Sequence, residues 1–493
     1  PGLYKQLPIL KVGRGKFYSE IILMRNIKLN IKLIICVAVG VILWFSSGFT
    51  DAPEKGWHIF SILTAVVLSL ILKPYPTGIM VISGLIILSL TNTVSINEAL
   101  SGYGESTVWL VVAAFMVASS VINTGLGKRI AYKLVALFGR TTISLAYSIC
   151  FTELILGPVV PSNTARGGGV IGPVVNSLSD TLGSTPDKEP ERAGRYLTLV
   201  GAHANLISSA MFLTGMAANP LMAEFVETIY KIEFGWETWA LGAIVPGLVG
   251  LMLLPLVLYK IAKPTLDNPG NSAKDKKIEL QGLDPVMSRQ EKVLSFVLIM
   301  MLLLWSTHSL HGIDTTVVAW VGVSALVFFK VQKWHELAGN DKAWDALIWL
   351  GGLITIAKLL TTYGFIDWFV LNVRGWVTGY NGVYILLLLL VIYFYSMYMF
   401  SSLSAHLTAM APTFLALTAI SFGHPLVAGA IFAYFSLLCG CLTPYSTGPF
   451  IIYFGYGYVQ SSKWFSTGFI LSLFHIVVWL GVGMAWWKIL NWW

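Results

Sequence analysis

Charge is scarce in this chain: Asp, Glu, Lys and Arg together make up 11% of 493 residues, while 56% are hydrophobic. A water-soluble domain of this length could not cover itself with so little polarity, so the composition excludes that class and points to repeated passage through a bilayer. Cysteine is rarer still. Cys36, Cys150, Cys439 and Cys441 all fall inside apolar runs, without the His or Cys partners that a metal site needs, and they read as packed free thiols. No Walker loop, zinc motif or Ser-His-Asp set is present, which leaves ATP-driven transport and familiar membrane hydrolysis without support. No cofactor or metal is implied.

What the chain does have is long apolar runs. Runs of about 17 to 25 residues mark spans, near 31–48, 57–73, 76–92, 107–125, 195–213, 236–260, 293–311, 315–330, 345–362, 425–443 and 463–487. Two further stretches, 142–175 and 382–420, are too long for one span and are interrupted midway by polar residues, with Pro158 and Pro161 or Pro412 beside the interruption. Each reads as a helical hairpin that enters the membrane and returns on the same side. Such backbone is tolerated at depth only where it is buried in protein or lines a wet cavity. The expected fold is an all-α membrane protein of about eleven transmembrane helices plus two re-entrant hairpins.

Lysine and arginine orient it. Lys5, Lys11, Arg14, Lys16, Arg25 and Lys28 precede the first span; Lys128, Arg129, Lys133 and Arg140 follow the fourth; Lys188, Arg192 and Arg195 precede the fifth. Lys260, Lys263, Lys274, Lys276, Lys277, Arg289 and Lys292 flank the long hydrophilic loop. With the hairpins counted as returns, all lie on one side, which the positive-inside rule makes cytoplasmic, together with the N-terminus. The net charge of +8 is therefore topology, not a nucleic-acid surface. The residues before Met24 read as an expression remnant or leader and are set aside.

The two interruptions spell one pattern. Ser162-Asn163-Thr164-Ala165-Arg166 and Ser402-Leu403-Ser404-Ala405-His406 both run hydroxyl, any residue, hydroxyl, alanine, cation. Around them the halves align further. Trp109-Leu110 with Gly125 matches Trp349-Leu350 with Gly364, each followed by an amphipathic stretch (127–140; 365–376) suited to the membrane surface, and Leu213-Thr214 with Pro220 matches Leu442-Thr443 with Pro449. Five spans per repeat is odd, so the repeats are inverted. The organisation is then a basic segment (1–30), a first span (31–56), a first repeat (57–262), a cytoplasmic loop (263–292) and a second repeat (293–493).

Chemistry follows from residue type. At a hairpin turn the second arm begins with unpaired amides that carry partial positive charge suited to an anion. Ser162, Asn163 and Thr164 add donors, with Ser402, Ser404 and Thr408 opposite, and Gly167, Gly168 and Gly169 let a ligand approach the backbone. Thr214 to Pro220 and Thr443 to Pro449, dense in Gly, Pro and hydroxyls, read as broken helices completing the pocket through Thr214, Gly215, Thr443, Pro444, Ser446 and Thr447. Facing donor clusters suit a substrate with a carboxylate at each end. The bland alternative is that the hydroxyls cap helices, that Arg166 pairs with Glu153 and that His406 bonds a backbone carbonyl; Lys358 is a rival partner for Glu153. His203 and His475 lie alone in apolar helices and read as structural.

The paired Ser-Asn-Thr type motifs on hairpins, with the Thr-rich broken helices, resemble the divalent anion/sodium symporter family of dicarboxylate and citrate transporters, over nearly the whole chain from about residue 30. Ser-Asn-Thr-Ala-Arg and Ser-Ser-Leu-Ser-Ala-His resemble its exchanger branch, the citrate/succinate antiporters and plastid 2-oxoglutarate/malate translocators. Leu403 and Ser404 depart from the usual Asn and Thr. The resemblance implies a homodimer in which a hairpin-bearing domain slides as an elevator along a fixed scaffold. It also implies that Arg166 and His406 stand where bound cations offset substrate charge in sodium-coupled relatives, which would make exchange obligatory. Exchange of C4/C5 dicarboxylates (succinate, malate, fumarate, 2-oxoglutarate) across a bacterial cytoplasmic membrane is the expected function. Sodium- or proton-coupled symport is the alternative, and a membrane-embedded enzyme a remote one.

Overall fold

The computed structural model describes residues 30–267, 286–377 and 379–493. The segment before Met24 expected to be an expression remnant or leader, the basic residues ahead of Asn30, and Lys274, Lys276 and Lys277 lie outside the described residues. Among the described residues there is no β-strand, and the chain is all-helical. In the first half the principal helices are α1 (Ile31–Phe45), α2 (Glu54–Leu72), α3 (Thr77–Leu90), α4 (Ser106–Thr124), α5 (Leu126–Phe138), α6 (Thr142–Leu156), α7 (Gly172–Thr181), α8 (Gly194–Met211), α9 (Asn219–Tyr230) and α10 (Trp236–Ile261). The second half supplies α11 (Arg289–Ser306), α12 (Thr315–Phe328), α13 (Asp341–Thr362), α14 (Phe365–Val377), α15 (Gly382–Tyr395), α16 (Leu403–Ser421), α17 (Pro425–Leu438), α18 (Gly448–Gly455) and α19 (Ser461–Ile489). Each apolar run expected to span coincides with a helix, because a backbone without water must satisfy itself within the segment.

The matched halves fold alike at matched positions. Gly125 (φ +78°) and Gly364 (φ +72°) both take the left-handed conformation between a span and an amphipathic helix, α5 or α14. A side chain would be strained there, so glycine sets both corners. α8 stops at Met211, a 3₁₀ turn covers Leu213–Gly215, and α9 restarts with Pro220 in its first turn; α17 stops at Leu438, a 3₁₀ turn covers Cys439–Leu442, and α18 restarts with Pro449. Proline is tolerated there because first-turn amides have no intrahelical acceptor.

One detail of the second hairpin differs from expectation. Its break runs from Ser396 to Ser402, and Pro412 sits inside the continuous helix α16 rather than at the break. Both arms are also long and apolar enough to cross a membrane (Gly382–Met399, Leu403–Ser421), as six other helices among the described residues are. In the first hairpin the turn does carry Pro158 and Pro161, and the returning arm opens as a π-helix over Ala165–Ile171 before continuing as α7. Gly167, Gly168 and Gly169 occupy its middle.

Helices α1–α4 and α11–α13 pack chiefly on one another, and the hairpins pack with α8–α10 and α17–α19. The two groups meet where α9 lies on α13 and α16 on α2. Lys358 of α13 reaches across this boundary, 2.7 Å from Glu105 before α4 and 3.3 Å from Glu224 on α9. It is therefore not the partner of Glu153. A buried ion pair joins the amphipathic helix α5 to α11, through Arg129 and Glu291.

Candidate functional site

Both polar interruptions do the same local work. The Ser162 hydroxyl accepts from the Ala165 amide at 3.1 Å, and the Ser402 hydroxyl accepts from the Ala405 amide at 3.2 Å. Each serine caps the arm that follows, which satisfies one orphan donor and leaves neighbouring amides directed at the turn. Thr408 donates to Ser404 O at 2.8 Å, so its hydroxyl belongs to its own helix.

The tips converge on one unwound segment. Asn163 Nδ2 donates to Thr447 Oγ1 at 2.8 Å, and the Leu403 amide donates to Ser446 O at 2.8 Å. Two adjacent residues of the second half of the chain thus join both tips. Thr164 packs so tightly on Gly448 that an added Cβ there would come within 2.1 Å of its hydroxyl oxygen. Ser446 Oγ donates to Gly440 O at 2.6 Å, which holds the segment in its open form. Ser162, Thr164, Ser402 and Ser404 are half-buried, whereas Asn163, Leu403, Thr443, Pro444, Ser446 and Thr447 are buried or nearly so. Thr443 Oγ1 has no hydrogen-bond partner among the described residues.

The unwound turn of the first half of the chain is placed differently. Thr214 Oγ1 donates to Pro158 O at 2.6 Å and accepts from Trp236 Nε1 at 3.1 Å, so its hydroxyl is committed behind the first hairpin. Gly215 offers its carbonyl to Arg166 at 3.0 Å. These two residues support one tip; their hydrogen bonds do not reach the second.

Arg166 is fully buried and all of its donors meet protein acceptors. Nε donates to Glu153 Oε2 at 2.7 Å, Nη1 to Val160 O and Gly215 O, and Nη2 to Ser208 and Ser209. Asn205 Nδ2 donates to both Glu153 oxygens at 3.1 Å, and Ser208 adds a third contact. Desolvating a guanidinium and a carboxylate is tolerable only when each has such a full set of partners. The expected role of Arg166 as a net charge for the substrate is therefore not what the geometry provides, because Glu153 already matches it. His406 is also fully buried, its Nε2 lying 3.0 Å from Tyr393 O and 2.9 Å from the Ser396 hydroxyl, with the rings of Tyr393 and Phe400 against it. It holds the second tip to its first arm.

Asn205, Ser208 and Ser209 escaped the sequence reading, though a signal was present: residues i, i+3 and i+4 on one face of an apolar helix. His203 and His475 are fully buried, and neither ring nitrogen of either has a hydrogen-bond partner among the described residues. The four cysteines are buried and free.

With this geometry in view, the comparisons with known proteins are specific. Residues 27–493 match the family described as the sodium:sulfate symporter transmembrane region. The chain belongs to this family. It is 41% identical over 464 residues to the putative malate transporter YflS of Bacillus subtilis, covering 94% of this chain and 97% of that one. It is 38% identical to the chloroplastic dicarboxylate transporter 1 of Arabidopsis thaliana (94% and 83% covered) and 31% identical to the L-tartrate/succinate antiporter of Escherichia coli K12 (87% and 92%). The crystal structure of the YdaH transporter of Alcanivorax borkumensis superposes with a TM-score of 0.56 at 14% identity, over 83% of this chain and 89% of that one. That likeness shows the fold. Family membership and the apolar helices together make this a multi-pass membrane protein of a dicarboxylate transporter family.

Proposed function

We propose that this chain is a secondary transporter, not an enzyme, that exchanges C4/C5 dicarboxylates such as succinate, malate, fumarate and 2-oxoglutarate. The observation that carries the reading is the meeting of both hairpin tips on Ser446 and Thr447. One carboxylate is held by the Ser162–Thr164 tip and the other by the Ser402–Ser404 tip, with Thr443, Pro444, Ser446 and Thr447 between them and Thr214 and Gly215 behind the first. Charge-assisted hydrogen bonds from hydroxyls and helix-start amides supply the affinity. Relatives named for malate, dicarboxylate and tartrate/succinate transport support the substrate class.

Arg166 and His406 enter this mechanism as built-in ties. Each holds its tip to the preceding arm through groups that belong to the protein, so the tip's shape does not depend on a bound cation. That favours exchange without sodium. Symport remains the second reading because the family description itself names sodium. In the exchange reading the two repeats are inverted, the N-terminus is cytoplasmic, and the hairpin group, in each subunit of a homodimer, slides as an elevator along α1–α4 and α11–α13.

The test is uptake of labelled succinate or malate into proteoliposomes with and without internal dicarboxylate, at varied sodium. Exchange requires internal dicarboxylate and is indifferent to sodium. Sodium-driven uptake into empty vesicles overturns it in favour of symport.

A further inference from the structure

Helices α1 and α3 each lie along α2 and splay from one another. Small residues draw both onto α2: a Cβ at Gly40 would meet Ala65 at 3.0 Å, and one at Gly84 would meet Ile62 and Val66 at 3.0 Å. Between the two walls an apolar groove of about 520 Å³ is left, floored by Ile62 and Ala65 and walled by Val37 and Val41 from α1 and Met80 and Ser83 from α3. It is lined on α1 from Leu33 to Phe45, about 18 Å at a rise of about 1.5 Å per residue. That exceeds the roughly 15 Å of hydrocarbon in one leaflet.

The groove's two ends differ in charge. At one, Asn30 Nδ2 donates to Pro74 O at 3.2 Å, tying the start of α1 to the α2–α3 turn, and Lys32 and Lys73 are exposed beside Leu33 and Tyr75, which line the mouth. Asp51 and Glu54 lie towards the other end, beside Lys55; at the lysine end residues 55–97 contain no acidic side chain, and Asp345 of α13 meets α3 at Gly78, which does not line the groove. We infer that this groove binds an anionic phospholipid, with one acyl chain along α2 and the phosphate at Lys32 and Lys73. An apolar groove facing hydrocarbon takes a chain of matching chemistry, and a cation near the membrane surface attracts an anionic headgroup. A second copy of the chain fits less well. A twofold axis along the membrane normal brings equal depths together, so the acidic end of one copy could not meet the Lys32 and Lys73 end of the other.

The full chain, reconstituted in nanodiscs of equimolar phosphatidylcholine and phosphatidylglycerol and then extracted, is analysed by mass spectrometry for retained lipid. Wild type retains phosphatidylglycerol preferentially. Lys32→Gln with Lys73→Gln lowers that preference by roughly thirtyfold without lowering total retained lipid, and Ser83→Trp, which fills the groove, removes both lipids. Equal retention of the two lipids by wild type overturns the inference, as does a lysine double variant with unchanged preference. Conversion of a dimer to monomer by Ser83→Trp at constant lipid content also overturns it and assigns the groove to a second copy.

Discussion

Arg166 and Glu153 stand 13 residues apart in the chain and 2.7 Å apart in space, and His406 stands at the same remove of 13 residues from Tyr393, whose carbonyl lies 3.0 Å from its ring. The two halves of the chain thus share the geometry of the tie and differ in its chemistry: a buried ion pair in one, an imidazole–carbonyl hydrogen bond in the other. Removing one member of a buried pair strands the other, at a cost of about 3–5 kcal/mol. Glu153→Gln and Arg166→Gln should each lower thermal stability in detergent by that order. His406→Gln should cost about 1 kcal/mol.

Substrate affinity should report the first tip directly. Ser162→Ala, Asn163→Ala and Thr164→Ala each remove a donor to a desolvated carboxylate, worth about 1.5–3 kcal/mol, or roughly ten- to a hundredfold in affinity. Competition binding of succinate to purified variants measures this. Folded variants with wild-type affinity at all three positions would remove the tip from the site.

Gly448 is tested by pairing. Gly448→Ala drives a methyl into Thr164, so transport should fall sharply while the double variant with Thr164→Ala regains a folded carrier. Equal losses in the single and double variants, read by melting temperature and expression, would show that the close approach does not matter.

Lys358 joins two helix groups through an ion pair that is partly exposed. Its static value is small, about 0.5–1 kcal/mol, and Lys358→Gln should barely change stability. If the groups slide, the pair with Glu224 breaks in each cycle, and Lys358→Gln should alter the exchange rate more than the affinity. Reversing all three charges, Lys358→Glu with Glu105→Lys and Glu224→Lys, should restore the rate towards wild type.

Acid should act on the pair that joins α5 to α11. Burial pushes the Glu291 carboxyl up, but hydrogen bonds from Arg129 and from the Ser288 amide, with the Arg129 charge, outweigh this and hold it below its ordinary value. The pair's stabilisation is complete above the unfolded value of about 4.3 and is lost as pH falls through the lower folded value. Melting temperature against pH should therefore drop at the acid end, and Glu291→Gln should lose that component.

The spans were legible because each is a long apolar run, and the match of Gly125 with Gly364 because each stands between an apolar run and an amphipathic stretch. The partner of Glu153 was not. Arg166 and Lys358 are both buried cations by sequence, and what separates them is the position of Glu105 and Glu224, which packing alone decides. Nor could sequence show that Ser446 and Thr447 serve both tips while Thr214 turns behind one, since the two unwound segments have similar composition. Pro412 misled for a plain reason: a proline inside a buried helix can be accommodated by its neighbours, and the chain breaks instead at the capping serine.

The burial of Cys36, Cys150, Cys439 and Cys441 gives the natural protein a practical property. A membrane-impermeant maleimide finds no native thiol to react with, so the wild-type chain already serves as a silent background. One cysteine introduced at Ser404 or Thr164 would carry the whole labelling signal, and the side of the vesicle from which it reacts, with and without dicarboxylate, would record which way each tip faces water during turnover.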